Sequence, residues 1–287
     1  MLINTVILLL RDALPIILLF ALLLLNTGKY IQLSAFLRPS TNGGYINFFN
    51  KFPNLICWSV ALLISLITTG LLVNNLAGIS QQLDGKGIEI LISIVLFMIY
   101  LMIIFILFLL HQSMIKKNQS LAIFLSVIVI IVLVFTLNAT NFITYLVGFW
   151  LQTELQFSLV IGIILGMGIC ISVGILFYFS LLLTQNKYQQ TFIEILFLLF
   201  GCGQLIQALN LLLQVDLLPS YASLWDTSFI INEDSELGHF FTALMGYEAT
   251  PSLLHLSIYI SAFIIPVAVH YFNSNNSEVR YDLGESR

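Results

Sequence analysis

Long apolar runs separated by short polar breaks organise this chain from end to end. A helix needs about 20 consecutive apolar residues to cross a bilayer, and seven runs reach that length, at roughly 4–26, 55–79, 87–110, 120–147, 155–184, 190–214 and 251–272. The pattern predicts an all-α polytopic membrane protein: one transmembrane domain over residues 1–287, with seven spanning helices. The longest segment between spans is 215–250. The first run carries no basic flank and no small-residue cleavage site, so it reads as a retained helix and not a signal peptide.

Composition agrees, with 59% hydrophobic and 8% charged residues and a mean hydropathy of +1.02, far outside the range of a soluble domain. The ten basic residues then set the orientation. Lys29, Arg38, Lys51, Lys116, Lys117, Lys187, Arg280 and Arg287 fall on one side of the predicted spans and Lys86 on the other, with Arg11 inside the first span. The positive-inside rule places the N-terminus outside and the C-terminus in the cytoplasm. Segment 215–250 is then an outer loop, and it carries Asp216, Asp226, Glu233, Asp234, Glu236 and Glu248 with no Lys or Arg. It forms an acidic cap, read as a docking or cation-gathering surface.

Charge inside a span is costly and marks an ion path, a pairing partner or a ligand site. Arg11 and Asp12, in LLLRDALPIILL, are therefore the leading candidates. Pro15 lies four residues after Arg11 and cannot donate to its carbonyl, so a kink and a free backbone oxygen are expected there. At 1.5 Å per residue the pair lies roughly 10 Å below the outer end of the helix. An ion-handling site and a structural Arg–Asp lock both fit.

Other spans carry neutral polar residues. Helix 4 carries Thr136, Asn138, Thr140, Asn141 and Thr144 in TLNATNFIT, a stripe read as interhelical hydrogen-bond glue. Gly162 and Gly166 form a small-xxx-small packing pattern in helix 5. Gln204, Gln207, Asn210 and Gln214 line one face of helix 6, a hydrated or partner-facing surface or further glue. Cys57, Cys170 and Cys202 match neither a zinc site nor a disulfide framework and read as buried small hydrophobes. The absence of HExxH, GxSxG and phosphate-binding glycine loops leaves enzyme readings without support, and the acidic balance argues against nucleic acid.

Residues 191–272, above all LLPSYASLWDTSFIINEDSELGHFFTALMGYEATPSLLHLSIYI, resemble the C-terminal part of the high-affinity, oxidase-coupled iron permeases. LLLRDALPIILL resembles that family's first Arg-Glu-x-x-Glu motif. The resemblance implies seven helices, a 3+3 inverted repeat plus a seventh helix, and iron as the transported ion. It also implies an extracytoplasmic iron-oxidising or iron-delivering partner, and a bacterial inner membrane or a thylakoid-type membrane. In the family both motifs are expected to offer glutamates to iron. Here Asp12 replaces the first glutamate, Pro15 stands at the second, and TLNAT in helix 4 has neither arginine nor carboxylate. Glu154 falls outside the motif, in a short outer loop. Two readings result. In one, iron passes a degenerate site with Asp12 as metal ligand and Arg11, Thr136, Asn138, Thr140, Asn141, Gln207 and Asn210 along the path. In the other, the chain is a non-transporting accessory subunit of a larger membrane complex.

Overall fold

In the computed structural model, residues 2–31, 53–110, 117–150, 156–183 and 189–284 are described. The bases Arg38, Lys51, Lys116, Lys187 and Arg287, and Glu154, lie outside them, as does the side chain of Cys57.

Apolar sequence in hydrocarbon must satisfy its backbone polar groups internally, and the described residues do so as helices: α1 Leu2–Ile31, α2 Pro53–Ser80, α3 Gly87–Leu110, α4 Lys117–Trp150, α5 Gln156–Leu183, α6 Gln189–Gln214, α7 Glu236–Met245 and α8 Leu253–Gly284. Helices α1 to α6 are each long and apolar enough to cross a membrane. The seventh predicted span falls on α8, whose apolar stretch among the described residues is the shorter Leu253–Ala268. Segment 215–250, predicted as a loop, contains the extra helix α7. Ser235 caps it by accepting the Gly238 N–H at 3.0 Å, and Gly246, at φ 68°, ends it in the left-handed conformation that glycine adopts without strain.

The core is a layer of aliphatic and aromatic side chains, with Leu14, Leu18 and Leu22 of α1, Ile99 and Ile103 of α3, Ile130 of α4, and Phe197 and Phe200 of α6. Helix α6 is the most enclosed span, 61% of it buried, and α2 the least, 17%. Exposed apolar residues such as Leu63, Ile67, Ile164 and Leu176 on α2 and α5 face outward, as a lipid-facing surface requires.

Small residues decide how close the helices come. Gly162, Gly166, Cys170 and Gly174 recur every four residues along α5 and lie against α1: a Cβ on Gly166 would stand 3.0 Å from Leu9, and one on Gly174 2.1 Å from Ile17. The Cys170 thiol donates to the Leu9 carbonyl at 3.7 Å. The small-xxx-small reading of this helix is therefore met by direct backbone approach. Helix α2 has the same device, which the sequence reading missed. Its fully enclosed residues Ala61, Ser65 and Thr69 are also four apart, and this helix packs on α4. Several polar residues along α2 also bond its own carbonyls, as in Thr69 to Ser65 at 2.7 Å.

One end of the bundle gathers the start of α1, the α2–α3 turn, the end of α4 and segment 215–250. Thr5 meets Tyr145 at 3.3 Å, and the Lys86 ammonium donates to the Val215 carbonyl at 2.6 Å. Segment 215–250 is tied down by its own hydrogen bonds. Tyr247 Oη bridges Thr227 Oγ1 at 2.8 Å and the Ile231 carbonyl at 3.0 Å, and Thr227 N–H donates to Ala249 O at 2.9 Å. Gly203 of α6 meets the backbone of Gly246, where a Cβ would fall 2.7 Å from the Gly246 nitrogen.

Candidate functional site

The charged pair of α1 is split across the helix surface. Asp12 is buried at 4% exposure, while the Arg11 side chain is 58% exposed and reaches back so that its Nε donates to Asp12 Oδ1 at 3.1 Å. Consecutive residues on a helix do not share a face, which is why the pair divides; Pro15 joins Asp12 on the buried side. Counted from Leu2, Asp12 lies about 15 Å along the helix, near the middle of a hydrocarbon core of about 30 Å. Its second oxygen, Oδ2, is buried and has no hydrogen-bond partner. Leaving a buried acceptor unsatisfied costs about 1–3 kcal/mol, more when it is charged.

The other path candidates do not join Asp12. Thr140 Oγ1 donates to the Thr136 carbonyl at 2.6 Å, Thr144 to Thr140 at 2.8 Å and the Asn138 amide to Val134 at 2.8 Å, so α4 satisfies these groups on its own backbone. Thr136 Oγ1 also meets Thr68 of α2 at 2.7 Å, an interhelical bond of the glue type. Asn141 is exposed. The α6 carboxamides grade from buried Gln204 through half-buried Gln207 to exposed Asn210 and Gln214, and so do not form one uniform face.

At the end of the bundle that carries segment 215–250, a second polar centre comes together, built from residues far apart in sequence. His255, near the start of α8, is buried. Its Nδ1 lies 2.7 Å from Ser252 Oγ and 3.3 Å from the Ser252 N–H; its Nε2 lies 2.6 Å from Asn210 Oδ1 of α6 and 3.2 Å from Glu248 Oε2. Glu248 Oε2 is buried and, despite that proximity, accepts no hydrogen bond. Burial pushes the Glu248 carboxyl above its ordinary range, the charge of Glu233 pushes the same way, and the Asn210 carboxamide pulls it down. Sequence reading passed over His255 because a lone histidine at the mouth of an apolar helix carries no pattern. The Ser252-x-x-His255 spacing was the only local signal, and Asn210 is 45 positions away.

The acidic cap divides into two classes. Glu233 is half-buried and accepts the Ala249 N–H. Asp226, Asp234 and Glu236 are exposed; hydrogen bonding of Asp226 first to the Ser228 side chain and then to its backbone N–H, at 2.8 Å, holds its carboxyl below the usual range. Asp234 and Glu236, with His239, border a cavity of about 390 Å³ whose other wall is Leu2, Ile3, Val6, Ile7 and Leu10 of α1. The cavity extends down α1 to the residue before Arg11.

Among the described residues, no three His, Cys, Asp or Glu side chains converge to hold a metal ion, at Asp12 or elsewhere. Cys170 and Cys202 are buried free thiols. Comparison of the chain with protein-family models, with curated proteins and with solved structures gives no match.

Proposed function

We propose that this chain is an integral membrane protein of the iron-permease type, with its N-terminus outside, in which Asp12 is the remaining ion-handling carboxylate. The observation that carries this reading is the unpartnered Asp12 Oδ2, which falls in the middle of the apolar stretch Leu2–Leu25. A purely structural pair gains most when both oxygens are satisfied. Here one oxygen is held by Arg11 and the other is left to meet a cation or a proton. The exposed carboxylates Asp234 and Glu236, on the same end of the bundle as the start of α1, would raise the local cation concentration there.

The helix contacts support a 3+3 inverted repeat. Exchanging α1 with α4, α2 with α5 and α3 with α6 maps the α1–α5 contact onto α4–α2 and the α3–α4 contact onto α6–α1, and maps α1–α4 and α3–α6 onto themselves; all of these contacts are made, while the slight α2–α3 contact has no α5–α6 counterpart of like extent. The α1–α5 contact is a small-residue seam, and the α2–α4 contact includes the Thr68–Thr136 hydrogen bond. An internal repeat of this kind is the usual frame for a midplane ion site in secondary transporters.

The test is expression of Asp12→Asn in a host deficient in iron uptake, with uptake and membrane abundance measured together. Loss of uptake at normal abundance is expected. Unchanged uptake removes Asp12 from transport; loss of abundance makes the pair a structural lock.

A second reading, a non-transporting subunit of a larger membrane assembly, is favoured by Arg11. An arginine side chain 58% exposed within the apolar stretch Leu2–Leu25 must find water or a polar partner, since hydrocarbon disfavours it by several kcal/mol. A partner chain covering Arg11 would supply that contact. Extraction in mild detergent, followed by cross-linking from residue 11, distinguishes a protein neighbour from a water-filled pocket.

A further inference from the structure

We propose that Asn210 Oδ1, Glu248 Oε2 and His255 Nε2 form a binding site for a first-row divalent transition metal ion at the end of the bundle that carries segment 215–250. Donor atoms bound to one such ion at about 2.0–2.2 Å stand about 2.8–3.6 Å apart, from octahedral to tetrahedral shells. Nε2 and Oε2 are 3.2 Å apart, and Oδ1, at 2.6 Å from Nε2, reaches the same range by a small rotation of its carboxamide. The three donors come from α6, the α7–α8 connection and α8, so the site exists only in the folded bundle. Its open side is toward Asn210, which is exposed, and Glu248, whose side chain is 22% exposed.

Three features prepare these atoms for a cation. Glu248 Oε2 is buried, near an imidazole nitrogen, and takes no hydrogen bond from it, so a lone pair is left for a cation. The imidazole is held in place by Ser252, whose Oγ lies 2.7 Å from Nδ1. A metal-bound histidine donates its other ring N–H to such a partner, a role the Ser252 hydroxyl oxygen is placed to accept once the proton is on Nδ1. Without a metal, the Ser252 N–H points at Nδ1 and the proton sits on Nε2, donated to Asn210. With a metal on Nε2, the proton sits on Nδ1 and is donated to Ser252 Oγ. The imidazole proton moves between ring nitrogens and the ring stays neutral.

The chemistry of the donor set decides which ion fits. One neutral imidazole, one carboxylate and one amide oxygen suit Zn²⁺, Fe²⁺, Co²⁺ or Mn²⁺. Ca²⁺ and Mg²⁺ prefer all-oxygen shells, and Cu⁺ prefers thiolate or thioether ligands. Glu233, which accepts the Ala249 N–H beside the site, adds negative charge behind Glu248. The site is separate from Asp12 and does not depend on transport.

The purified full-length chain in detergent is titrated with Zn²⁺ against a competing chelator, in parallel with Glu248→Gln, His255→Ala and Asp12→Asn. One Zn²⁺ per wild-type chain is expected, weakened at least ten-fold by Glu248→Gln and by His255→Ala and unchanged by Asp12→Asn. Absence of stoichiometric binding, or full binding in both site variants, overturns the proposal. X-ray absorption of the zinc-loaded wild-type protein needs no variant: one imidazole with oxygen ligands is expected. A shell with no imidazole, with two, or with thiolate overturns it. If Asp12→Asn fails in uptake while zinc binding persists, the two sites are independent, and failure of either proposal leaves the other standing.

Discussion

Gly162 of α5 lies so close to Thr5 of α1 that a Cβ at position 162 would stand 2.8 Å from the threonine Cβ. Together with Gly166 and Gly174 it defines the seam on which the α1–α5 pair rests. Gly174→Val should lower the unfolding temperature in detergent, with a cost of about 1–3 kcal/mol for overpacking. Gly168→Ala, where a Cβ meets nothing within 4 Å, is the control and should leave stability unchanged or slightly raised. Equal loss in both would contradict a close seam.

Thr68 and Thr136 join α2 to α4 through hydroxyls 2.7 Å apart. A double-mutant cycle with Thr68→Val and Thr136→Val should return a coupling of about 0.6 kcal/mol, the average for interhelical hydrogen bonds in membranes. Thr136→Val alone should not reduce uptake, because the Thr136 hydroxyl is engaged with α2 and not with Asp12. A large drop in uptake at normal abundance would return Thr136 to the ion path.

The carboxylates of the acidic cap should separate by role. Asp234→Asn with Glu236→Gln removes two exposed charges at the cavity rim and should reduce cation accumulation or partner retention, with the effect fading as salt is raised. Glu233→Gln weakens the contact with the Ala249 N–H and should instead lower thermal stability. Measuring both variants for uptake and unfolding temperature at low ionic strength checks the division; identical behaviour would make the cap a uniform solvated surface.

Glu248 makes stability depend on pH in a stated direction. Its carboxyl titrates above the ordinary value of 4.5 because of burial and the nearby Glu233 charge. The folded state therefore holds this proton more tightly than the unfolded chain. The stabilisation is fully present below pH 4.5 and is lost as pH rises through the elevated folded value. Glu248→Gln should show a flatter profile over that window and unfold at a higher temperature than wild type above it. Scanning calorimetry from acid to neutral pH, without metal, reads the difference, and a steeper profile in the variant would reverse the sign.

Much was legible in the chain because hydropathy is a local property. Six long apolar runs became six helices able to cross a membrane, and the charges at positions 11 and 12 stood out because they are adjacent and well inside a span, whereas Glu89 and Glu194 lie near the starts of theirs. The four-residue spacing of Gly162 and Gly166 also announced a packing face, since that period is set by the helix itself. Pairings between distant residues were not legible. The stripe at Thr136, Thr140 and Thr144 looked like a continuous polar face, and only the folded bundle assigns its hydroxyls to backbone carbonyls and to Thr68. Arg11 and Asp12 are adjacent in the chain, yet packing against neighbouring helices buries one and leaves the other exposed. Asn210, Glu248 and His255 meet because α6, the α7–α8 connection and α8 converge at one end. Hydrophobic periodicity fixes which face of a helix is apolar, whereas the three-dimensional arrangement of helices decides which polar atoms share a point in space.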